Sequence, residues 1–134
     1  MSKLVLDTNC LIQCISHRSS YHKLWLSFIE GRNILCVSND ILEEYEEILQ
    51  RKTSREFARI AINIILNNPN TKFVTVYYRF NLITTDLDDN KFVDCAIAAN
   101  ARFIVTEDKH YDILSETGFP KVEIVSLDEM MNML

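Results

Sequence analysis

Short apolar runs alternate along the chain with longer segments in which apolar residues recur every three or four positions. The short runs predict buried strands, and the longer segments predict helices with one face against a core. The predicted strands are Lys3–Leu6, Asn33–Val37, Lys72–Tyr78, Arg102–Val105 and Val122–Val125. Because strands and helices alternate, we expect an α/β fold, a three-layer α/β/α sandwich around a central parallel sheet of about five strands.

The predicted helices fill the intervals between these strands. Four of them are expected over Tyr21–Glu30, Ser54–Asn67, Asp88–Ala101 and Lys109–Thr117. One more begins at about Asn9, another begins after Ser38 or Asn39, and the last is capped by Ser126. The chain has 134 residues with only two Gly and two Pro, which leaves little room for flexible linkers. We therefore expect one domain over residues 1–134 with a core of its own.

One predicted helix contains a charge where none is expected. Residues 92–100, FVDCAIAAN, are apolar or small except for Asp94 and the terminal Asn100. A helix that is apolar nearly all round is buried, and a buried carboxylate is costly unless a partner pairs with it or binds it. Asp94 is therefore either a paired core residue or part of a site.

Polar residues follow three of the predicted strands. Asp7-Thr-Asn follows the first, Ser38-Asn-Asp the second, and Thr106-Glu-Asp the fourth. Ligands bind beyond the carboxyl ends of strands in parallel sheets, so these residues are expected at one edge, where Asp94 and Glu44, six residues after Ser38, can join them. Carboxylates in such a cluster repel one another, and proteins keep them mainly to bind hard cations such as Mg²⁺ or Mn²⁺.

The net charge of −5 excludes a broad basic surface for nucleic acid, so a bound cation would have to offset repulsion of phosphates. Simpler interpretations of the acids are also open. Asp7 and Asp108 could cap helices, Glu44 could belong to a solvated helix face with its neighbouring glutamates, and Asp94 could be paired in the core.

Four segments in this order resemble the motifs of the PIN domain family. They are LVLDTN, which contains Asp7; SNDILEEYEEIL, which contains Glu44; DCAIAANA, which begins with Asp94; and FIVTED, which ends with Asp108. Each motif alone is weak, but the four together cover almost the whole chain. Residues 86–90, DLDDN, also resemble the acidic lead-in of one PIN subgroup, which implies that Asp89 lies near the metal. Asp94 ranks first because of its expected burial.

The resemblance implies a PIN-like fold and an endoribonuclease that depends on Mg²⁺ or Mn²⁺. It implies that Asp7, Glu44, Asp94 and Asp108 are the catalytic and metal-binding residues. It also implies an RNA substrate, frequent homodimers and, in the toxins of toxin–antitoxin pairs, a cognate antitoxin bound near the active site.

Further residues are candidates for supporting roles. Thr8, Asn9, Ser38 and Thr106 either orient carboxylates and metal-bound water or act as ordinary helix caps and strand ends. The densest basic cluster is a candidate for RNA phosphate contacts, although a solvated helix surface is equally consistent with it; its members are Arg51, Lys52, Arg55 and Arg59. Lys109 and His110, next to Asp108, could contact the scissile phosphate.

The four cysteines lie in apolar segments without a CxxC pair, which indicates buried, reduced thiols. A zinc site made by Cys10, Cys14 and His17 on one helix face is the alternative. The chain shows neither a signal peptide nor a membrane-spanning stretch, so we expect a cytoplasmic protein.

Two other functions compete with the nuclease. A phosphoacceptor receiver domain also carries acids, a Thr and a Lys at strand ends, but it needs paired acids after the first strand, where DTN supplies one. A catalytically inactive PIN scaffold that binds RNA or a protein partner is the second alternative, and the presence of all four acids argues against it.

Overall fold

A computed structural model describes residues 1–116, 118 and 120–134 and contains a sheet of five parallel strands. The strands are β1 (Ser2–Leu6), β2 (Asn33–Val37), β3 (Thr71–Phe73), β4 (Phe103–Val105) and β5 (Glu123–Val125), and they lie in the order β3-β2-β1-β4-β5. The chain moves outward from β1 in one direction to β3 and then in the other direction to β5. Because parallel crossovers are right-handed, this reversal places helices on both faces of the sheet, which confirms the predicted α/β sandwich.

Six α-helices occur in the part of the chain that the structure describes. They are α1 (Thr8–Ile15), α2 (His22–Ile29), α3 (Asn39–Lys52), α4 (Arg55–Asn67), α5 (Asn90–Ala99) and α6 (Leu127–Asn132). Two 3-10 segments, Leu87–Asp89 and Lys109–Glu116, precede α5 and β5. None of the described helices is long and apolar enough to cross a membrane.

Helix starts follow the sequence signals closely. The side chains of Ser38 and Ser54 accept hydrogen bonds from the amides of Ile41 and Phe57, three residues further on. Ser126 forms a capping box with Glu129. These bonds satisfy amide groups that have no partner within the helix, which fixes where α3, α4 and α6 begin.

The strand order reverses between β1 and β4, at the edge of the sheet where the sequence predicts a site. The backbone N–H of Asp7 donates to the carbonyl of Val105 at 3.0 Å, so the ends of the two strands are held together. Both strands are buried at this end, and α5 packs against β1, β2 and β4. In open parallel sheets this reversal creates the crevice in which ligands bind.

The third strand is shorter than predicted. The apolar stretch 72–78 predicted a strand throughout, but β3 ends at Phe73, and residues 74–86 follow an irregular path towards α5. Tyr77 and Tyr78 are exposed, so the apolar character of this stretch does not reflect burial in the sheet. The predicted helix over 109–117 is a 3-10 segment from Lys109 to Glu116, and Thr117 lies outside the described residues.

Candidate active site

Two hydrogen bonds, one to each oxygen, hold the side chain of Asp7 in place. Its Oδ1 accepts from the amide of Thr8 at 2.8 Å, so it caps α1 as the simpler interpretation proposed. Its Oδ2 accepts from Thr106 Oγ1 at 2.8 Å. Burial raises the pKa of Asp7, the bonds from Thr106 and Thr8 lower it, and the charges of Glu44 and Asp108 raise it further. Asp7 is thus a helix cap, and it also lies close enough to Glu44 and Asp108 for their negative charges to raise its pKa.

Both oxygens of Glu44 are engaged by partners from other helices. Thr8 Oγ1 donates a short hydrogen bond to Oε2, and Lys91 Nζ, from α5, donates to Oε1 at 2.9 Å. Burial lowers the pKa of Lys91, but the hydrogen bond and charge of Glu44 outweigh this effect and leave the pKa raised. The carboxylate of Glu44 is therefore fixed in one orientation, while Glu43, Glu46 and Glu47 on the same helix are exposed.

Asp108 and Asp89 meet at His110. The amide of Asp108 donates to Thr106 Oγ1 at 3.0 Å, and its Oδ1 accepts from the amide of His110 at 2.8 Å. His110 Nδ1 lies 3.2 Å from Asp108 Oδ1 and 3.3 Å from Asp89 Oδ2. Burial, together with the charges of Asp86, Asp108 and Asp7, raises the pKa of Asp89 to about 6, although the contact with His110 lowers it.

These contacts join four acids in one continuous sequence of hydrogen-bonded or closely apposed groups along the edge of the sheet. In order, its members are Glu44, Thr8, Asp7, Thr106, Asp108, His110 and Asp89, and we call it the acidic row. Thr8 contacts Glu44 through its hydroxyl and Asp7 through its backbone amide. The hydroxyl of Thr106 links the carboxylate of Asp7 to the backbone amide of Asp108, and the imidazole of His110 lies between the carboxylates of Asp108 and Asp89. The residues of the row lie directly after β1, at the start of α1, in α3, in the 3-10 segment before α5, and directly after β4.

Asp94 lies outside the acidic row. It is 3% exposed, and its Oδ1 accepts from the amide of Phe80 at 3.1 Å. Burial raises the pKa of Asp94, whereas the Phe80 amide and the charge of Arg79 lower it. Asp94 nevertheless lines the same groove of about 580 Å³ as Glu44, between α3 and the start of α5. Its position as one of the four site acids stays a prediction.

The supporting residues divide into two groups. Thr8 and Thr106 belong to the acidic row, and Ser38 caps α3, the helix that carries Glu44. Asn9 is exposed and its Oδ1 lies 3.5 Å from Lys52 Nζ, which brings that basic residue towards the start of α1.

The remaining basic candidates are exposed. Arg51 lines the groove beside Glu44 and pairs with Glu47 at 3.0 Å. Arg55 and Arg59 project from α4. Lys109 lines a cavity of about 660 Å³ that also includes Thr106 and Asp108. None of these positions contradicts a role in contacting RNA, and that role stays a prediction.

The donor set at this edge fits a divalent cation. Among the described residues, the one group of three whose potential ligand atoms all lie within 4.8 Å of one another is Asp86, Asp89 and His110. Carboxylate oxygens with an imidazole nitrogen are ligands for Mn²⁺ and related ions. The predicted zinc alternative is not supported, because Cys10 and Cys14 are buried in the core while His17 is exposed.

Two members of this site, Lys91 and Asp86, were not singled out in the sequence, and His110 was considered only as a contact for phosphate. Lys91 follows directly after the acidic DLDDN segment, and His110 is two residues after Asp108. Neither spacing reveals the partner, because Lys91 reaches α3 and His110 reaches Asp89, 21 positions away in the chain.

The fold and the acidic row define an α/β protein with a carboxylate site at the switch point of its sheet. Residues 3–110 match a family model described as a PIN domain. Since this match covers most of the chain, the protein belongs to the PIN domain family. By sequence, no curated protein matches it significantly.

Solved structures of low sequence identity share the fold. VapBC2 from Rickettsia felis, bound to a DNA fragment from its promoter, has a TM-score of 0.62 at 18% identity over 92% of this chain and 98% of that one. VapC20 of Mycobacterium tuberculosis, a toxin that cleaves the sarcin–ricin loop, has a TM-score of 0.58 at 17% identity over 89% and 98%. The PIN domain endonuclease Utp24 has a TM-score of 0.54 at 18% identity over 92% and 84%.

Proposed function

We propose that this protein is an endoribonuclease that hydrolyses RNA phosphodiester bonds with the help of Mg²⁺ or Mn²⁺, and that it is the toxin of a toxin–antitoxin pair. The observation that carries the proposal is the acidic row at the switch point of a PIN domain sheet. The similarity to VapC20 and Utp24, which are a cleaving toxin and an endonuclease, supports the reaction class.

The acidic residues of the chain would hold the cation and orient the attacking water. A divalent cation supplies Lewis acidity, lowers the pKa of water and neutralises phosphate charge. Asp7, Asp89 and Asp108 would hold the cation. Glu44, fixed by Thr8 and Lys91, would either complete the ligand set or accept a hydrogen bond from the attacking water and orient it for in-line displacement.

We propose Asp89 as the third acid of the cation site, and Asp94 as a residue that positions the segment before α5. The carboxylate of Asp89 feels the charges of Asp7 and Asp108 and lies 3.3 Å from His110. Asp94 is instead held by the amide of Phe80 and by the charge of Arg79. The assignment of Asp94 from sequence stays open to test, because it shares a groove with Glu44.

The test is cleavage of a mixed RNA pool by the purified protein, with a mixed single-stranded DNA pool in parallel. We expect RNA cleavage that requires Mn²⁺ or Mg²⁺, stops with EDTA and falls by about 100-fold or more in Asp7→Asn. Asp89→Asn and Asp94→Asn form a matched pair, since each replaces one buried carboxylate by an amide of the same shape. We expect Asp89→Asn to lose activity and Asp94→Asn to retain most of it.

Each other result has a defined meaning. Loss of activity in Asp94→Asn, with Asp89→Asn active, would restore Asp94 to the cation site. Cleavage that survives EDTA and Asp7→Asn would overturn the mechanism. Absence of both cleavage and carboxylate-dependent Mn²⁺ binding would favour the inactive scaffold that binds RNA or a protein.

An antitoxin partner and a homodimer are further parts of the proposal. Phe57, Ile60 and Ile64 lie three and four positions apart on α4, and each is between 38% and 50% exposed. This apolar stripe is a surface that a partner helix could cover. If it binds an antitoxin, Ile60→Ser should weaken co-purification with the product of the neighbouring reading frame without changing RNA cleavage. The size of the purified protein by light scattering tests the homodimer.

A further inference from the structure

His110 brings a nitrogen atom into a site otherwise made of carboxylates and hydroxyls. Its Nδ1 lies between two carboxylate oxygens, 3.2 Å from Asp108 Oδ1 and 3.3 Å from Asp89 Oδ2. Asp86, Asp89 and His110 each place one potential ligand atom within 4.8 Å of the others. Two segments therefore converge on this point, namely the 3-10 segment before α5 with its capping residue Asp86, and the residues after β4.

The spacing of these atoms suits a shared cation. Two neighbouring ligands of an octahedral ion with bonds of about 2.1–2.2 Å lie about 3 Å apart, and opposite ligands lie about 4.3 Å apart. The separation of 3.3 Å from His110 Nδ1 to Asp89 Oδ2 is close to the first value. The 4.8 Å limit on the Asp86, Asp89 and His110 group is compatible with the second.

A purely structural role for the imidazole is less well supported. The backbone amide of His110, not its ring, forms the capping bond to Asp108 at 2.8 Å. The side chain of His110 is 43% exposed, so it contributes little to the core. Asp89, by contrast, is buried, and the negative charges of Asp86, Asp108 and Asp7 repel its carboxylate. A bound cation would relieve this repulsion.

We propose that Nδ1 of His110 is a direct ligand of the divalent cation, alongside Asp86 and Asp89, and that this nitrogen makes the site prefer Mn²⁺ to Mg²⁺. The inference rests on the proposed function only in placing a cation at the acidic row. Mg²⁺ takes oxygen ligands and tolerates little departure from them, whereas transition-metal ions accept imidazole nitrogen. The ring would therefore raise the affinity for Mn²⁺ more than that for Mg²⁺.

The experiment is pulsed electron paramagnetic resonance of Mn²⁺ bound to the purified protein, prepared with natural-abundance nitrogen and with ¹⁵N-labelled histidine. We expect a nitrogen hyperfine coupling that changes from the ¹⁴N to the ¹⁵N pattern on labelling. This coupling should disappear in His110→Gln, whose amide keeps a hydrogen-bonding group there. His17→Gln is the matched control, because His17 is also exposed and lies outside the site; it should keep the coupling.

Competition between the ions gives a second readout. We expect wild type to bind Mn²⁺ at least about tenfold more tightly than Mg²⁺, and this ratio to fall by about tenfold in His110→Gln with circular dichroism unchanged. Bound Mn²⁺ without histidine coupling, or coupling that persists in His110→Gln, would overturn the inference.

RNA cleavage and histidine coupling, measured on the same protein, distinguish this inference from the proposed nuclease activity. Metal-dependent RNA cleavage without histidine coupling would reject the ligand role of His110 and leave the function standing. Histidine coupling without any metal-dependent cleavage would establish the ligand and reject the function. Failure to bind Mn²⁺ at all would overturn both.

Discussion

Asp89 makes the stability of the protein depend on pH. Burial is the main reason that its pKa is raised from 3.8 to about 6 in the folded protein. Between these two values the folded state holds a proton that the unfolded chain has released. This contribution to stability is therefore fully present below about pH 4 and is lost as the pH rises through about 6.

We expect Asp89→Asn to stabilise the protein by about 1 kcal/mol at pH 8 in EDTA, because the amide needs no charge in the buried site. At pH 4 the difference should shrink, since wild type is then protonated. Urea unfolding at the two pH values measures both effects. Asp88→Asn is the control, because Asp88 is the exposed neighbour. A variant less stable than wild type at pH 8 would contradict the destabilising effect assigned to the buried charge of Asp89.

Thr106 is the residue whose hydroxyl joins Asp7 to Asp108. Its Oγ1 donates to Asp7 Oδ2 and accepts from the amide of Asp108, and the residue is 4% exposed. We expect Thr106→Val, which keeps the shape, to lower the free energy of unfolding by about 1–3 kcal/mol, because the buried Asp7 Oδ2 loses its donor and the Asp108 amide loses its acceptor. It should also weaken Mn²⁺ binding about tenfold, because the carboxylates lose their orientation.

Thr71→Val is a suitable control for Thr106→Val. Thr71 Oγ1 donates to the carbonyl of Ile65 at the start of β3, away from the acidic row. Urea unfolding and calorimetric Mn²⁺ titration should show a loss of stability in both variants but a loss of affinity in Thr106→Val alone. Equal Mn²⁺ affinity in the two variants would show that Thr106 supports only the fold.

At the scale of the elements, the site depends on how α3 is held against the end of β1. The hydroxyl of Tyr45, which is fully buried, donates to the carbonyl of Leu6 at 2.5 Å. Tyr45 follows Glu44 and Leu6 precedes Asp7, so this one bond ties together the backbones that carry two acids of the row. The pKa of Tyr45 is raised well above its usual value, mainly by burial, which keeps the hydroxyl a donor.

We expect Tyr45→Phe to lower stability by about 1–2 kcal/mol and to weaken Mn²⁺ binding by a factor of a few, because α3 can then shift relative to β1. Tyr21→Phe removes a hydroxyl that bonds Asp128 on the surface, and it should change stability by less than about 0.5 kcal/mol. Unfolding and Mn²⁺ titrations of the two variants provide the test. Unchanged Mn²⁺ affinity in Tyr45→Phe would show that the bond does not set the geometry of the site.

Elements with a strong apolar period and a cap were predictable from sequence. The residues KLVL and NILCV lie in β1 and β2, and Ser38 caps α3, because burial and capping are decided within a few positions. The end of β3 was not predictable, since an apolar stretch looks the same whether it enters the sheet or leaves it. The choice between Asp89 and Asp94 likewise depends on which acid faces His110 and which faces Phe80, and these are contacts between distant segments.

At the scale of the whole molecule, the proposed function requires an acidic protein to bind an acidic polymer. The net charge is −5, and the acidic row adds local repulsion of phosphates. Of the basic residues predicted to contact RNA, Arg51 is paired with Glu47, whereas Lys52 lies beside Asn9 near the start of α1 and Arg59 projects from α4. Binding should then depend on a few cations on one side of the site and on the metal within it.

We expect RNA affinity to fall with added KCl. The slope of log K against log salt should flatten by about 1.4 in Lys52→Gln/Arg59→Gln, because each neutralised phosphate of a single strand contributes about 0.7 to that slope. The measurement is fluorescence anisotropy with labelled RNA and Mg²⁺, in an Asp7→Asn background that prevents cleavage. The control pair Arg18→Gln/Lys23→Gln removes the same charge from exposed positions near α2. If both pairs flatten the slope equally, net charge governs the encounter, and the face formed by α3 and α4 has no special part in guiding RNA to the acidic row.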